Sequence, residues 1–192
     1  MTEDASVDLR VERTQRAIKE AFRELVCEKD AGRITVKELT ERAGINRKTF
    51  YLHFQSIEEL YSAVLQDIMD KYFRERELTP EKPKDIWGHA RRFFLYLTEQ
   101  PLSTERMVCS PGGYDDFGKK LYFDQMRRYR EAGKDPFGWM PGAKHELVLN
   151  FIRSTALNFY RQWVKDGKAV DPEEAADLLC ELTCHGVDRL MK

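Results

Sequence analysis

The chain has 192 residues, of which 42% are hydrophobic and 34% are charged, which predicts a globular protein of one compact domain or two small ones and excludes a membrane-embedded chain. No run approaches the roughly 18 apolar residues that span a bilayer, and residues 1–9 are acidic, so we expect neither insertion nor export and place the protein in the cytoplasm, with no membrane partner. Four cysteines are scattered along helical patterns, and we interpret them as reduced thiols.

The net charge of −1, taken alone, argues against a nucleic-acid-binding protein, because such proteins usually carry a positive surplus. This average hides a basic segment. Between Gly32 and Gln55, five basic residues stand against two acidic ones, which gives the segment a local charge of +3. The sequence therefore predicts a small, concentrated positive surface.

The first predicted helix covers residues 10–29, where apolar side chains recur at three- and four-residue spacing. Residues 30–32 break this pattern. Thr35 with Glu38 then forms a capping box that begins a short second helix. Gly44 ends that helix.

A third predicted helix follows at once, because Asn46 is a preferred N-cap residue. A second capping box, Ser56 with Glu59, opens a longer fourth helix that runs to Phe73. The short turn that contains a glycine, between the second and third helices, indicates a helix-turn-helix.

Beyond this point the chain predicts a second helical domain. The charged stretch 74–84 contains two prolines and marks the boundary. We expect an all-α protein of about nine helices, with a flexible N-terminal arm over residues 1–9, a helix-turn-helix domain with its linker helix over 10–73, and a regulatory and dimerisation domain over 74–192. The helices of this last domain are predicted at about 85–99, 114–132, 143–166 and 172–191.

In a helix-turn-helix, the second helix lies in the major groove of DNA. Five apolar residues must face the first helix to hold the pair at a fixed angle: Val36, Leu39, Ile45, Phe50 and Phe54. This leaves Arg47 and Lys48 to reach bases, while neighbouring hydrogen-bonding groups suit phosphate oxygens. The predicted DNA-binding residues are Thr35, Lys37, Asn46, Arg47, Lys48, Thr49, Tyr51 and His53. Alternatively, Tyr51 and His53 are packed aromatic side chains, and the two cations form a solvated face.

The run from Ile34 to Phe54, with Ala-Gly at the turn and Thr-Phe-Tyr-Leu-His-Phe at its end, resembles the DNA-binding signature of the TetR/AcrR family of transcriptional regulators. The match covers about residues 13–60. It implies a dimeric repressor, more rarely an activator, that leaves DNA when a small molecule occupies a pocket in its C-terminal domain. Two positions depart from the family pattern. Ile57 stands where a phosphate-binding Lys is common, and Lys48 where a small residue is common, which we expect to change the bases read.

The last two predicted helices are expected to form the dimer interface. The helix over 143–166 is apolar on nearly all sides, as expected where one face meets its own core and another meets a partner. Two such helices from each subunit would make a four-helix interface. The partners are therefore a second copy of the chain and a pseudo-palindromic double-stranded DNA operator.

Aromatic and sulfur-containing side chains with a few polar tips suit an effector pocket for an unidentified small molecule. The predicted ligand-binding residues are His89, Phe93, Tyr96, Met107, Tyr122, Met126, Tyr129, Phe151 and Thr155. The alternative is that all of them are ordinary core. The loop over residues 135–141 covers a pocket or reaches the partner subunit, and the sequence does not decide between the two.

Two further possibilities concern the C-terminal domain. Cys180, Cys184 and His185 could bind a metal or be oxidised, although buried structural thiols are the alternative that we favour. The domain could also bind a protein co-regulator, such as a kinase-like subunit, in place of a small molecule. We expect no enzyme activity, cofactor or metal, because the sequence contains no glycine-rich phosphate loop, no nucleophile paired with a base and no recognised ligand spacing.

Overall fold

The computed structural model describes residues 3–76, 86–110 and 139–187, and in these ranges the chain is helical with no strand. The all-α class is confirmed. No helix in the described ranges combines the length and the apolarity that crossing a membrane requires. The helices are α1 (Glu3–Glu28), a 3-10 turn (Ala31–Arg33), α2 (Val36–Arg42), α3 (Arg47–His53), α4 (Ile57–Arg76), α5 (Ile86–Thr98), α6 (Leu102–Cys109), α7 (Gly142–Lys165) and α8 (Pro172–Val187).

These helices group into two compact units. The first contains α1 to α3, α4 as far as Ile68, and α6; the second contains the end of α4 from Met69, α5, α7 and α8. The first unit therefore ends before the boundary predicted at residue 73. It also includes α6, which lies within the range assigned to the C-terminal domain.

The core of the first unit is formed by one face of α1 against α2, α4 and α6. The apolar stripe predicted on α1 is confirmed, since Ile18, Phe22, Leu25 and Val26 are all buried. The ring of Phe22 meets that of Tyr61 edge to face, with centroids 6.1 Å apart. The Tyr61 hydroxyl donates to the Met107 carbonyl at 3.0 Å and so joins α4 to α6.

Ion pairs add to the contact between α1 and α2. Arg42 donates to both carboxylate oxygens of Glu28, at 2.8 and 3.0 Å, and to Glu24 at 3.2 Å. The hydrogen bond to Arg42 lowers the pKa of Glu28. Lys29, which directly follows α1, also donates to Glu38 of α2. Three acidic groups at this contact, Glu24, Glu28 and Glu38, are therefore paired with cations.

The second unit has an aromatic core. Phe94 makes edge contacts with Tyr160 and Trp163 of α7, at centroid distances of 5.9 and 5.5 Å. The Tyr160 hydroxyl donates to the Leu97 carbonyl at 3.2 Å. On the surface, Arg91 of α5 donates to Asp177 of α8 at 2.8 Å, and this hydrogen bond raises the pKa of Arg91.

Two parts of the sequence prediction are wrong. The segment expected to be a flexible arm is helical from Glu3, because α1 contains no glycine or proline to interrupt it. The helix α6 was not predicted, because Pro101 indicated only a break. Pro101 in fact occupies the N-cap position with φ −65°, a backbone conformation that proline favours. The predicted helix over 114–132 lies outside the described residues.

The helix boundaries around the turn are confirmed. The Thr35 hydroxyl accepts a hydrogen bond from the Glu38 amide at 3.3 Å, and the Glu38 carboxylate accepts one from the Thr35 amide at 3.1 Å. Asn46 caps α3 by accepting from the Thr49 amide at 2.8 Å. Between the two helices, Gly44 has a left-handed backbone with φ +66°.

Replacing Gly44 by Ala should lower the free energy of unfolding by about 1 kcal/mol, because a Cβ disfavours the left-handed backbone. Steric overlap is not the reason, since the added Cβ would meet no atom within 4 Å. Denaturant unfolding followed by circular dichroism measures the change. Gly142→Ala is the matched control, because a Cβ added at Gly142 would also meet no atom within 4 Å, and the φ of Gly142 is not positive. An equal loss in both variants would rule out the backbone conformation as the cause.

The ion pair at Glu38 should make stability depend on pH in a defined window. Hydrogen bonds from Lys29 and then Thr35 lower the pKa of Glu38 from 4.5 to about 2. A carboxyl group whose pKa is lower in the folded protein than in the unfolded chain stabilises the fold. This stabilisation is complete at pH values above the pKa of the unfolded chain, and it is lost as the pH falls through the pKa of the folded protein. The stability difference between wild type and Glu38→Gln should therefore shrink between pH 4.5 and pH 2.

Glutamine keeps an acceptor for the cap while removing the charge, so this variant isolates the ionised form. Unfolding by urea at a series of pH values measures the difference. Glu41→Gln is the control, since Glu41 reaches a cation, Lys37, only at 3.9 Å on an exposed surface. A Glu38→Gln deficit of the same size at pH 7 and at pH 2 would contradict the expectation.

Candidate nucleic-acid interface

The helix α3 is held in the first unit by one aromatic face. Phe50 and Phe54 are buried, with ring centroids 6.1 Å apart. Leu39 of α2 is also buried, as the helix-turn-helix pattern predicts. Because a helix turns once in about 3.6 residues, burial of this face presents the opposite face to solvent.

The outward face of α3 carries Arg47, Lys48, Tyr51 and Leu52, all exposed. Arg47 and Lys48 form no ion pair with any residue that the structure describes. The ring of Tyr51 rests edge-on against Phe50 at a centroid distance of 5.3 Å, which leaves its hydroxyl end accessible. The structure therefore brings both predicted base-reading cations and one predicted phosphate-binding group to a single surface. Sequence reasoning did not single out Leu52.

Three of the predicted phosphate-binding residues already take part in hydrogen bonds at the helix caps, Thr35 and Asn46 as cap residues and Thr49 as a donor to Asn46. The Thr35 hydroxyl also donates to Glu38 at 2.8 Å, and the Thr49 hydroxyl donates to the Asn46 side-chain oxygen at 3.1 Å. The amide nitrogen of Asn46 remains as a donor, because capping uses only its oxygen. Their contact with phosphate stays a prediction.

The remaining two predicted DNA-binding residues lie on α2 and at the end of α3. Lys37 is exposed on α2 and pairs loosely with Glu41 at 3.9 Å. His53 is half-buried as the last residue of α3. Ile57 begins α4 and, as an apolar side chain, cannot bind phosphate through a hydrogen bond.

The basic segment is less available to a ligand than its charge of +3 suggests. Arg42 is occupied by Glu24 and Glu28, and their hydrogen bonds raise the pKa of the guanidinium. Among its five cations, only Arg33, Arg47 and Lys48 make no ion pair with the described residues. Positive charge that is free to meet an anion is therefore concentrated at the start of α3.

The predicted ligand-binding residues do not converge on one described pocket. Phe93 and Tyr96 are buried and contact the ring of Tyr72, at centroid distances of 5.3 and 5.0 Å. Thr155 is half-buried, whereas Phe151 is exposed because it lies on the outer face of α7. Tyr122, Met126, Tyr129 and the side chain of His89 lie outside what the structure describes.

Assigning Met107 to the C-terminal domain is wrong. It lies on α6 and is fully buried in the first unit, because α6 packs against α1. A cavity of about 280 Å³ does lie in that unit, with a mainly charged and sulfur-containing lining that includes Cys27, Lys29, Asp30, Arg106 and Cys109. This lining differs from the apolar pocket that the sequence predicts.

Cys27, Cys109 and Cys180 are free thiols, and Cys180 is half-buried, not buried. The side chains of Cys184 and His185 are outside the described residues. Within the described part of the chain, no group of three or more His, Cys, Asp or Glu side chains is arranged to hold a metal ion.

Comparison with known proteins relates this geometry to a family. Residues 18–64 match the family model for bacterial regulatory proteins of the tetR family. The uncharacterized HTH-type transcriptional regulator YxbF of Bacillus subtilis is 38% identical over 64 residues, which are 33% of this chain and 17% of that protein. DhaS of Lactococcus lactis, the activator of the dhaKLM operon, is 37% identical over 126 residues, which are 60% of this chain and 64% of that protein. The chain thus matches less than two thirds of either relative's length.

Solved structures extend the similarity of fold over most of the chain. NalD, the secondary repressor of the MexAB-OprM efflux pump in Pseudomonas aeruginosa, has a TM-score of 0.63 at 17% identity and covers 91% of this chain and 96% of its own. SmeT, the repressor of the SmeDEF pump in Stenotrophomonas maltophilia, has a TM-score of 0.61 at 18% identity, covering 90% and 89%. The SmeT–triclosan complex gives 0.61 at 20%, covering 90% of each chain. The helix-turn-helix of this chain is thus similar to that of bacterial regulatory proteins of the tetR family, and its fold is similar to those of NalD and SmeT.

Proposed function

We propose that the protein is a sequence-specific DNA-binding transcriptional regulator that acts as a homodimer. The observation that carries the proposal is the outward face of α3, where Arg47 and Lys48 are exposed without an ion-pair partner in the described residues. A helix N-terminus with two free cations is suited to a major groove, which combines phosphates with base edges. Burial of Phe50 and Phe54 fixes that helix in a single orientation.

The side chains on this face divide into two roles. Arg47 and Lys48 read bases, because long cationic side chains at the start of a recognition helix reach the acceptor atoms of guanine. The Tyr51 hydroxyl donates to a phosphate and positions the helix without regard to sequence. The other proposed phosphate contacts are made by Thr35, Lys37, Asn46, Thr49 and His53. The family's phosphate contact at position 57 is missing, so binding depends more strongly on α3.

Dimerisation rests on an apolar surface of the second unit. Leu147 and Phe151 lie four residues apart on α7, as do Leu178 and Leu182 on α8, and all four are between 45% and 72% exposed. Residues four apart share a helix face. The two helices also contact each other, so their exposed stripes suit a four-helix interface with a second copy. Two recognition helices must meet major grooves about 34–36 Å apart.

For regulation we propose release from the operator by a small molecule, which makes the protein a repressor. NalD and SmeT are repressors, and SmeT has been solved with triclosan bound. A second candidate is an activator whose C-terminal domain binds a protein co-regulator. It is favoured by DhaS, a transcriptional activator whose identity of 37% is higher than that of either solved repressor.

One experiment tests the proposal and separates the two candidates. The purified chain is used to select sequences from a random duplex DNA pool, and a library of small metabolites is then screened for release of the winning sequence. Enrichment of a pseudo-palindrome supports the regulator, and release by a metabolite supports the repressor. If no DNA sequence is enriched at low salt, the proposal of sequence-specific DNA binding is wrong. Enrichment without release by any metabolite favours the co-regulator candidate.

Substitutions on α3 should separate base readers from phosphate contacts. Lys48→Ala should weaken binding about tenfold on the selected operator and change operator preference, because each base contact discriminates by about 1–3 kcal/mol. Tyr51→Phe should weaken binding about tenfold on every sequence, because it removes only a phosphate contact. Fluorescence anisotropy on the selected operator and its single-base variants measures both. Lys165→Ala, an exposed change on α7, is the control. Uniform losses in both α3 variants refute the division of roles.

The proposed interface can be tested by placing a charge within it. Leu182→Glu should raise the dissociation constant of the dimer at least about 100-fold. Burying an unpaired carboxylate is strongly unfavourable, and a symmetric dimer contains one such carboxylate from each subunit. Analytical ultracentrifugation at micromolar concentration measures the change. Leu102→Glu is the control, because Leu102 is a similarly exposed leucine on α6 of the first unit. If wild type is already a monomer, or Leu182→Glu remains a dimer, the interface lies elsewhere.

A further inference from the structure

The most exposed large apolar side chain in the described part of the chain lies on α3. Leu52 is 74% exposed. It follows Lys48 by four residues, so the two side chains share the outward face of the helix. No described residue of the first unit covers it, although Phe50 and Phe54 on the opposite face are buried.

Leu52 contributes little to the fold, because an exposed side chain removes little apolar surface from water. It also cannot act as the neighbouring residues do, since leucine has no group that donates to a phosphate oxygen or a base edge. The apolar group that a major groove offers is the C5-methyl of thymine, which no other base of unmodified DNA carries. An exposed leucine beside two free cations therefore matches a groove that presents acceptor atoms and a methyl group side by side.

We propose that Leu52 is a specificity-determining residue that contacts the methyl group of a thymine in each operator half-site, next to the base that Lys48 reads. This inference rests on the proposed function, because it requires α3 to lie in the major groove. Contact with the methyl group removes apolar surface of both partners from water, which favours thymine over cytosine and over uracil at that position.

The test replaces individual thymines by deoxyuridine in the operator selected by the wild-type protein. Deoxyuridine keeps base pairing and removes only the methyl group. At one thymine of each half-site, the replacement should weaken wild-type binding about fourfold, as expected for the loss of one buried methyl group. Leu52→Ala should bind the thymine operator about tenfold more weakly. The same deoxyuridine replacement should have no further effect on this variant.

Leu102→Ala is the matched control, because it shortens another exposed leucine of the first unit, on α6. It should retain the full deoxyuridine penalty. The inference is overturned if no thymine is sensitive to the replacement, or if Leu52→Ala shows the same penalty as wild type. If the wild-type chain selects no DNA sequence, the proposed function fails and this inference fails with it. Selection of an operator without methyl sensitivity refutes only the role of Leu52.

Discussion

The burial of one aromatic face of α3 is the constraint on which the proposed DNA-binding surface depends. Phe50 and Phe54 are buried, and the left-handed turn at Gly44 and the Asn46 cap fix where the helix begins. Since a seven-residue helix is too short to be stable alone in water, its packing and caps must hold it. Once this face is buried, helical geometry decides which residues face outward, and no separate interaction is needed to present Arg47 or Lys48.

The cations of the first unit fall into two groups. Arg42 is paired with Glu24 and Glu28, and Lys29 with Glu38, which strengthens the contact between α1 and α2. These cations are neutralised within the unit and add little to an external field. The cations at the start of α3 have no such partners in the described ranges. A chain with a net charge of −1 can therefore present a positive surface, but a small one. The number of neutralised phosphates, and with it the salt dependence of binding, should be correspondingly modest.

The sequence predicted best those features that depend on neighbouring residues. The caps at Thr35 and Asn46 are bonds between residues three positions apart, and both are present. The helix α6 was missed because a proline either breaks a helix or precedes its first turn, and only packing decides which. The burial of the predicted ligand-binding residues was more difficult to predict. Phe93 and Tyr96 are buried and contact the ring of Tyr72, whereas Phe151 is exposed, and side-chain chemistry does not reveal this difference. Leu52 was missed for the same reason, since exposure is a property of the fold.

A dimer is proposed because a single α3 can make only a few contacts with DNA. Two free cations, one phenol and a few capping groups supply only a small number of contacts, and three of those groups are already hydrogen-bonded within the unit. Joining two copies makes the second contact with DNA intramolecular, so the two weak interactions combine. In the proposed dimer, the exposed stripes on α7 and α8 would therefore affect DNA affinity without touching DNA. A small molecule or a partner protein that changes how these helices pair alters the affinity by the same physical route, whether the outcome is repression or activation.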